Sequence, residues 1–98
     1  MKNPISNLNK LFESRIRLGI MSALMVNEQL EFNALKELLE VTDGNLASHL
    51  KALEQNEIIL VSKQFIGRKP NTTYSVTLNG RKAFQEHLAA LEELLKSQ

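Results

Sequence analysis

The sequence predicts an α+β fold, mostly helical, in the order helix, short strand, helix, helix, two-stranded hairpin, helix. Three observations carry that expectation. Apolar residues recur at helical spacing from Leu8 to Val26, at Leu46, Leu50 and Leu53, and from Phe84 to Leu95. Two runs rich in β-branched and aromatic residues, Ile58 to Ile66 and Thr72 to Leu78, flank Gly67-Arg68-Lys69-Pro70-Asn71, a link suited to an antiparallel hairpin. The chain has 98 residues, 43% of them apolar and 23% charged, which suits one domain over residues 1–98. That is near the lower size at which a core holds without disulfides or metals, so extra burial through self-association would help.

Each element follows from its local chemistry. With successive residues turned by about 100°, Phe12, Ile16, Gly19, Ile20 and Ala23 share one side of the first helix, whereas Leu11, Leu18, Met21 and Met25 lie on another. One face serves the domain's own core and the other needs a second cover. Leu30 to Phe32 reads as a short strand, and Asn33 as the cap of a short helix bearing Leu35, Leu38 and Leu39. Val41-Thr42-Asp43-Gly44 makes a tight turn, with Thr42 capping a third helix that runs to about Gln55. Leu46, Leu50 and Leu53 form its inward stripe. Its outer face carries Gly44, Ser48, Lys51, Ala52 and Gln55, flanked by Asn45, Ala47 and His49. Small side chains there let a helix backbone approach base edges in a major groove about 12 Å wide. Asn56 is the expected left-handed residue ending this helix. Thr77 and Gly80 open the last helix, where Phe84, Leu88, Leu91 and Leu95 repeat as a short coiled-coil-like seam. Residues 8–26 and 78–96 are accordingly the expected dimerisation helices, with Leu11, Leu18, Met21, Met25, Phe84, Leu88, Leu91 and Leu95 at the interface.

Net charge is only +1, so the total says little; its distribution says more. No Asp or Glu occurs between Ile58 and Gln85, while Lys63, Arg68, Lys69, Arg81 and Lys82 do, which gives the hairpin an uncompensated positive charge that seeks phosphate. Acids gather elsewhere, at Glu28, Glu31, Glu37 and Glu40 and at Glu86, Glu92 and Glu93. The absence of cysteine removes disulfide frameworks and thiolate metal sites, and His49 and His87 alone make no metal set; neither a metal nor a cofactor is expected. There is no nucleophile-base-orienter pattern, no glycine-rich phosphate loop and no pair of carboxylates in an evident cleft, which argues against catalysis. No apolar run approaches the ~20 residues of a spanning helix, and the N-terminus does not read as a signal peptide. The expected location is the cytoplasm, with no membrane contact.

The order of elements resembles the winged-helix domains of prokaryotic transcription regulators, near the multiple-antibiotic-resistance (MarR) and arsenic-responsive (ArsR) groups and their small stand-alone members. The likeness rests on Arg15-Ile16-Arg17-Leu18 with Ile20, on Phe32-x-x-Leu35, and on Thr42-Asp43-Gly44-Asn45-Leu46-x-x-His49-Leu50-x-x-Leu53-Glu54. It continues through Gly67-Arg68-Lys69-Pro70-x-Thr72-x-Tyr74-x-x-Thr77-x-x-Gly80, so that it spans nearly the whole chain. Asn56 departs from the glycine usual in the family.

The resemblance implies a homodimer on double-stranded DNA, with the third helix in the major groove and the hairpin as a wing on the backbone or minor groove. Candidate recognition-helix contacts are Thr42, Gly44, Asn45, Ser48, His49 and Lys51, with Asn45 and Ser48 toward base edges and Thr42 and Lys51 toward phosphates. Lys63, Arg68 and Lys69 are the wing candidates. Arg15 and Arg17 carry two readings, phosphate contact or pairing with acids such as Glu13. Asp43 opposes a phosphate-facing role, although an acid there suits the helix dipole. A second functional reading is a protein-interaction module whose basic wing docks an acidic partner. The operator, the sense of regulation and any small-molecule effector are not legible.

Overall fold

The structure, a computed structural model, describes residue 3 and residues 5–96; residues 1, 2, 4, 97 and 98 of the expected domain lie outside the description. A 3₁₀ turn, Lys10–Phe12, precedes α1 (Arg15–Met25), β1 (Leu30–Glu31), α2 (Phe32–Leu39), α3 (Asp43–Gln55), β2 (Ile59–Ile66), β3 (Lys69–Val76) and α4 (Leu78–Lys96). The order is the predicted one, mostly helical, with an antiparallel sheet in the order β1-β3-β2.

The predicted helix over residues 8–26 is two pieces. Asn9 Oδ1 accepts from the Leu11 N–H at 3.0 Å and Ser14 Oγ from the Arg17 N–H at 3.3 Å. Each is a polar side chain offering the backbone an alternative to the helical ladder, and together they bracket a break. The break turns Phe12 inward, where it is completely buried.

α2 begins at Phe32 rather than after an Asn33 cap. Pairing of Leu30 with Tyr74 and of Glu31 with Thr73 holds Glu31 extended, so the first helical residue is the next one. The cap of α3 is as expected: Thr42 Oγ1 accepts from the Asn45 N–H at 3.2 Å. Its end is shifted by one. Asn56 stays at φ −94°, held by its backbone N–H and by Nδ2, both donating to the Ala52 carbonyl, and Glu57 takes the left-handed conformation at φ 59°.

The hairpin link is also tighter than expected. Ile66 pairs with Lys69, which leaves Gly67-Arg68 as a two-residue turn and puts Lys69 and Pro70 in β3. Gly67 sits at φ 66° while Arg68 does not have positive φ, the pattern of a type II′ hairpin turn with glycine first.

The core joins every helix to the base of the sheet: Phe12, Ile20, Met21, Leu24, Leu35, Leu46 and Leu53 have no exposure, and Leu50, Ile58, Ile59 and Phe84 nearly none. Two residues expected on a dimer face therefore belong to the single chain's own interior. Met21 is enclosed in the core cluster, and the Phe84 ring meets Phe12 edge-on at 5.2 Å and 81°. Leu11, Leu18 and Met25 are half-buried at the core's margin.

The inward stripe of α4 is Gly80, Phe84, His87 and Ala90, not the leucine seam. His87 is buried against Phe12 and its Nδ1 accepts from the Asn9 N–H at 2.9 Å, which clamps the N-terminal segment onto α4. Leu88, one step around the helix from His87, is left 44% exposed, and Leu95 78% exposed. At the other end of α4, Thr77 Oγ1 accepts from the Gly80 N–H at 2.8 Å, and Thr77 also donates to the Glu57 and Ile58 carbonyls, tying the helix start to the foot of β2. Among the described residues no helix is long and apolar enough to cross a membrane.

Candidate nucleic-acid interface

α3 offers a low outer face because its leucines all point the other way. Leu46, Leu50 and Leu53 are buried, whereas Thr42, Asp43, Gly44, Asn45, Ala47, Ser48 and Lys51 are exposed. A Cβ added at Gly44 would meet nothing within 4 Å, so the surface at the helix start is open.

This face is continuous with the hairpin. Ala47, Leu50, Lys51 and Glu54 of α3 line one shallow groove with Val61, Lys63 and Tyr74 of the sheet. The two expected components thus share one side of the molecule. Burial first, and the Glu54 carboxylate second, raise the Tyr74 phenol above its ordinary pKa, so it stays a neutral hydroxyl in this groove. Side chains alternate along a strand, and the register places the pairs Val61 with Tyr74, Lys63 with Thr72 and Phe65 with Pro70 in succession on the groove side. Ile66 and Lys69 fall on the reverse side, and Arg68 occupies the turn. The wing cations therefore spread around the ribbon instead of forming one patch.

At the start of α3, Lys36 Nζ lies 2.8 Å from Asp43 Oδ1. The acid that opposes a phosphate partner is met by a cation from α2. Nothing local in the α2 sequence links Lys36 to Asp43 across the turn, so the pair is a product of the fold.

Arg17 reaches from α1 to α3. Its Nε donates to His49 Nδ1 at 3.0 Å and its Nη1 to the Leu11 carbonyl at 3.3 Å, so it braces the flank of α3 from α1. Burial, and then the neighbouring Arg17 charge, hold His49 below its ordinary pKa of 6.5. Arg15 lines a separate depression with Ser14, Ile16, Leu38, Leu39, Glu40 and Val41. Among the described residues no group of three or more His, Asp or Glu is placed to hold a metal ion.

A helix-turn-helix followed by an antiparallel hairpin beside its second helix defines a winged helix-turn-helix domain. The chain belongs to the winged helix DNA-binding domain family, whose model matches residues 16–95. It is 39% identical over 88 residues to an uncharacterized protein of Methanocaldococcus jannaschii, covering 90% of this chain and 96% of the relative. A transcriptional regulator homologue from Pyrococcus horikoshii OT3 superposes with a TM-score of 0.82 at 29% identity, over 89% of this chain and 86% of that one. A putative transcriptional regulator of the MarR family from Enterococcus faecalis V583 shares the fold, with a TM-score of 0.72 at 19% identity over 96% of this chain and 80% of that one. Fold and family are those of DNA-binding transcription regulators, not of enzymes.

Proposed function

We propose that this chain is a sequence-specific transcription regulator that binds double-stranded DNA as a homodimer. α3 lies in the major groove, with Asn45 and Ser48 toward base edges, Thr42 and Lys51 on flanking phosphates, and the open surface at Gly44 permitting close approach. Lys63, Arg68 and Lys69 of the wing contact the backbone and the adjacent minor groove. The observation that carries this reading is the single groove shared by Lys51 of α3 and Lys63 of the wing, since one phosphate ridge running between them would meet both cations.

The dimer is built on the exposed Leu88 and Leu95 of α4 with the half-buried Leu91 between them, and the half-buried Leu11, Leu18 and Met25 of the N-terminal region contribute at its margin. Two such domains would set their recognition helices about 34 Å apart, on successive major grooves of a pseudo-palindromic site.

The test is a polarisation titration against duplexes recovered by in vitro selection with the intact chain. Binding should be selective and weaken steeply with added salt, because each phosphate contact releases counterions. Failure to enrich any duplex, together with stoichiometric co-purification of an acidic protein, would favour the interaction-module reading instead.

A further inference from the structure

The wing carries a large apolar side chain that no part of the fold uses. Phe65 is 75% exposed near the end of β2, and the strand register puts it opposite Pro70 on the same side of the ribbon as Val61 and Lys63. That side continues into the groove shared with α3. We propose that Phe65, backed by Pro70, is an apolar wedge that enters the DNA minor groove beside the wing and makes the wing selective for an easily unstacked base step.

From the last pair with β1, at Thr73, the ribbon extends for four more pairs, Lys63 with Thr72 to Ile66 with Lys69, a reach of about 13 Å. Outward from α3 the groove side carries a cation, Lys63, and then an aromatic ring, Phe65, with the cationic Arg68 in the turn beyond. With α3 in a major groove, Lys63 falls at the intervening phosphate ridge, and Phe65 and Arg68 lie beyond it, at the minor groove. Charge favours the occupant: the ribbon has no acidic residue from Ile59 to Val76, so the DNA polyanion is a complementary partner and a neutral or basic surface is not. Pro70 stiffens the support, because its ring fixes the backbone directly across from Phe65.

Apolar side chains inserted at the minor groove partly unstack a base step and bend the duplex, at least cost where the step is pyrimidine–purine, such as TA or CA. Phe65 would thereby supply sequence preference without a hydrogen bond to any base. This inference rests on the duplex-binding reading of the wing and adds to it a mode of recognition.

The experiment compares the wild-type chain with Phe65→Ala, and with Ile66→Ala as a reverse-face control, on one duplex recovered by selection with the wild type. The duplex carries 2-aminopurine at successive steps of the segment flanking the major-groove contact. Thermal melting checks that both variants fold, as expected for exposed positions. Wild type and Ile66→Ala should raise 2-aminopurine fluorescence at one step. Phe65→Ala should not, should bind about tenfold or more weakly, and should lose the preference for a pyrimidine–purine step there. Its slope of affinity against salt should stay at the wild-type value, because no phosphate contact is lost. The proposal is overturned if Phe65→Ala matches the wild type in affinity and fluorescence, if its salt slope falls along with affinity, or if its oligomeric state changes in place of its DNA binding. Absence of any selected duplex for the wild type would instead remove the regulator reading on which it stands.

Discussion

Arg17 Nε donates a hydrogen bond to His49 Nδ1 across 3.0 Å, joining α1 to the flank of α3. The bond exists only while His49 is neutral, since a protonated ring has no lone pair to offer at Nδ1 and would set two cations face to face. Burial and then Arg17 lower the His49 pKa below 6.5, so the unfolded chain takes up the proton at a higher pH than the folded one. The resulting stabilisation is complete above about pH 6.5 and is lost as pH falls through the folded-state value. An NMR titration of the His49 ring should give an apparent pKa below 6.5, and Arg17→Leu should move it part of the way back. A value at or above 6.5 in the wild type would contradict the geometry.

Gly80 sits so close to the foot of β2 that a Cβ there would stand 2.0 Å from the Ile58 carbonyl oxygen. That oxygen belongs to backbone already engaged by the Thr77 N–H and hydroxyl at 3.0 Å, so it has no freedom to retreat. Helix α4 must shift instead, which strains its Phe84 and His87 contacts further along. Gly80→Ala should lower stability by about 3 kcal/mol, the upper end for forced overpacking. Urea denaturation measures it, and a loss below about 0.5 kcal/mol would mean that the helix moves away freely.

These two contacts show what could be read in advance and what could not. The caps at Thr42 and Thr77 and the stripe Leu46, Leu50, Leu53 were legible because each rests on residues within one or two turns of the same helix. The break at Glu13 was not, since apolar periodicity runs straight across it and only the acceptors of Asn9 and Ser14 mark it. The choice between the Phe84–His87–Ala90 stripe and the leucine seam beside it depends on Phe12 and Asn9, distant in sequence. Within the candidate interface, the cations were visible as composition, but the two-residue turn that sends Lys69 to the reverse face is a matter of strand register.

The wing cations and the polar face of α3 are separable by measurement. Arg68→Ala with Lys69→Ala should weaken binding to every duplex by a similar factor and reduce the slope of log affinity against log salt by about 2, one for each phosphate contact removed. Asn45→Ala or Ser48→Ala should instead alter the preference among duplexes and leave the slope in place, with a discrimination change of about 1–3 kcal/mol where a base contact is lost. Polarisation at a series of salt concentrations separates the two behaviours. An unchanged slope in the double variant would remove Arg68 and Lys69 from the phosphate contacts.

The exposed leucines of α4 lead to the last expectation. Leu88 and Leu95 lie outside the core, 44% and 78% exposed, beside the buried stripe of Phe84, His87 and Ala90. Leaving such a row in water forgoes about 25 cal/mol per Å2 that a second copy would recover. Because neither side chain supports the monomer's interior, Leu88→Glu with Leu95→Glu should leave helicity intact while placing like charges across the twofold contact. Light scattering at micromolar concentration should give a dimer for the wild type and a monomer for the double variant. The variant's melting temperature should also lose its dependence on protein concentration, since association no longer contributes to it. Operator affinity should fall with dimerisation, because a single domain engages only one half-site. A wild-type chain that is already monomeric in light scattering would assign the seam another role.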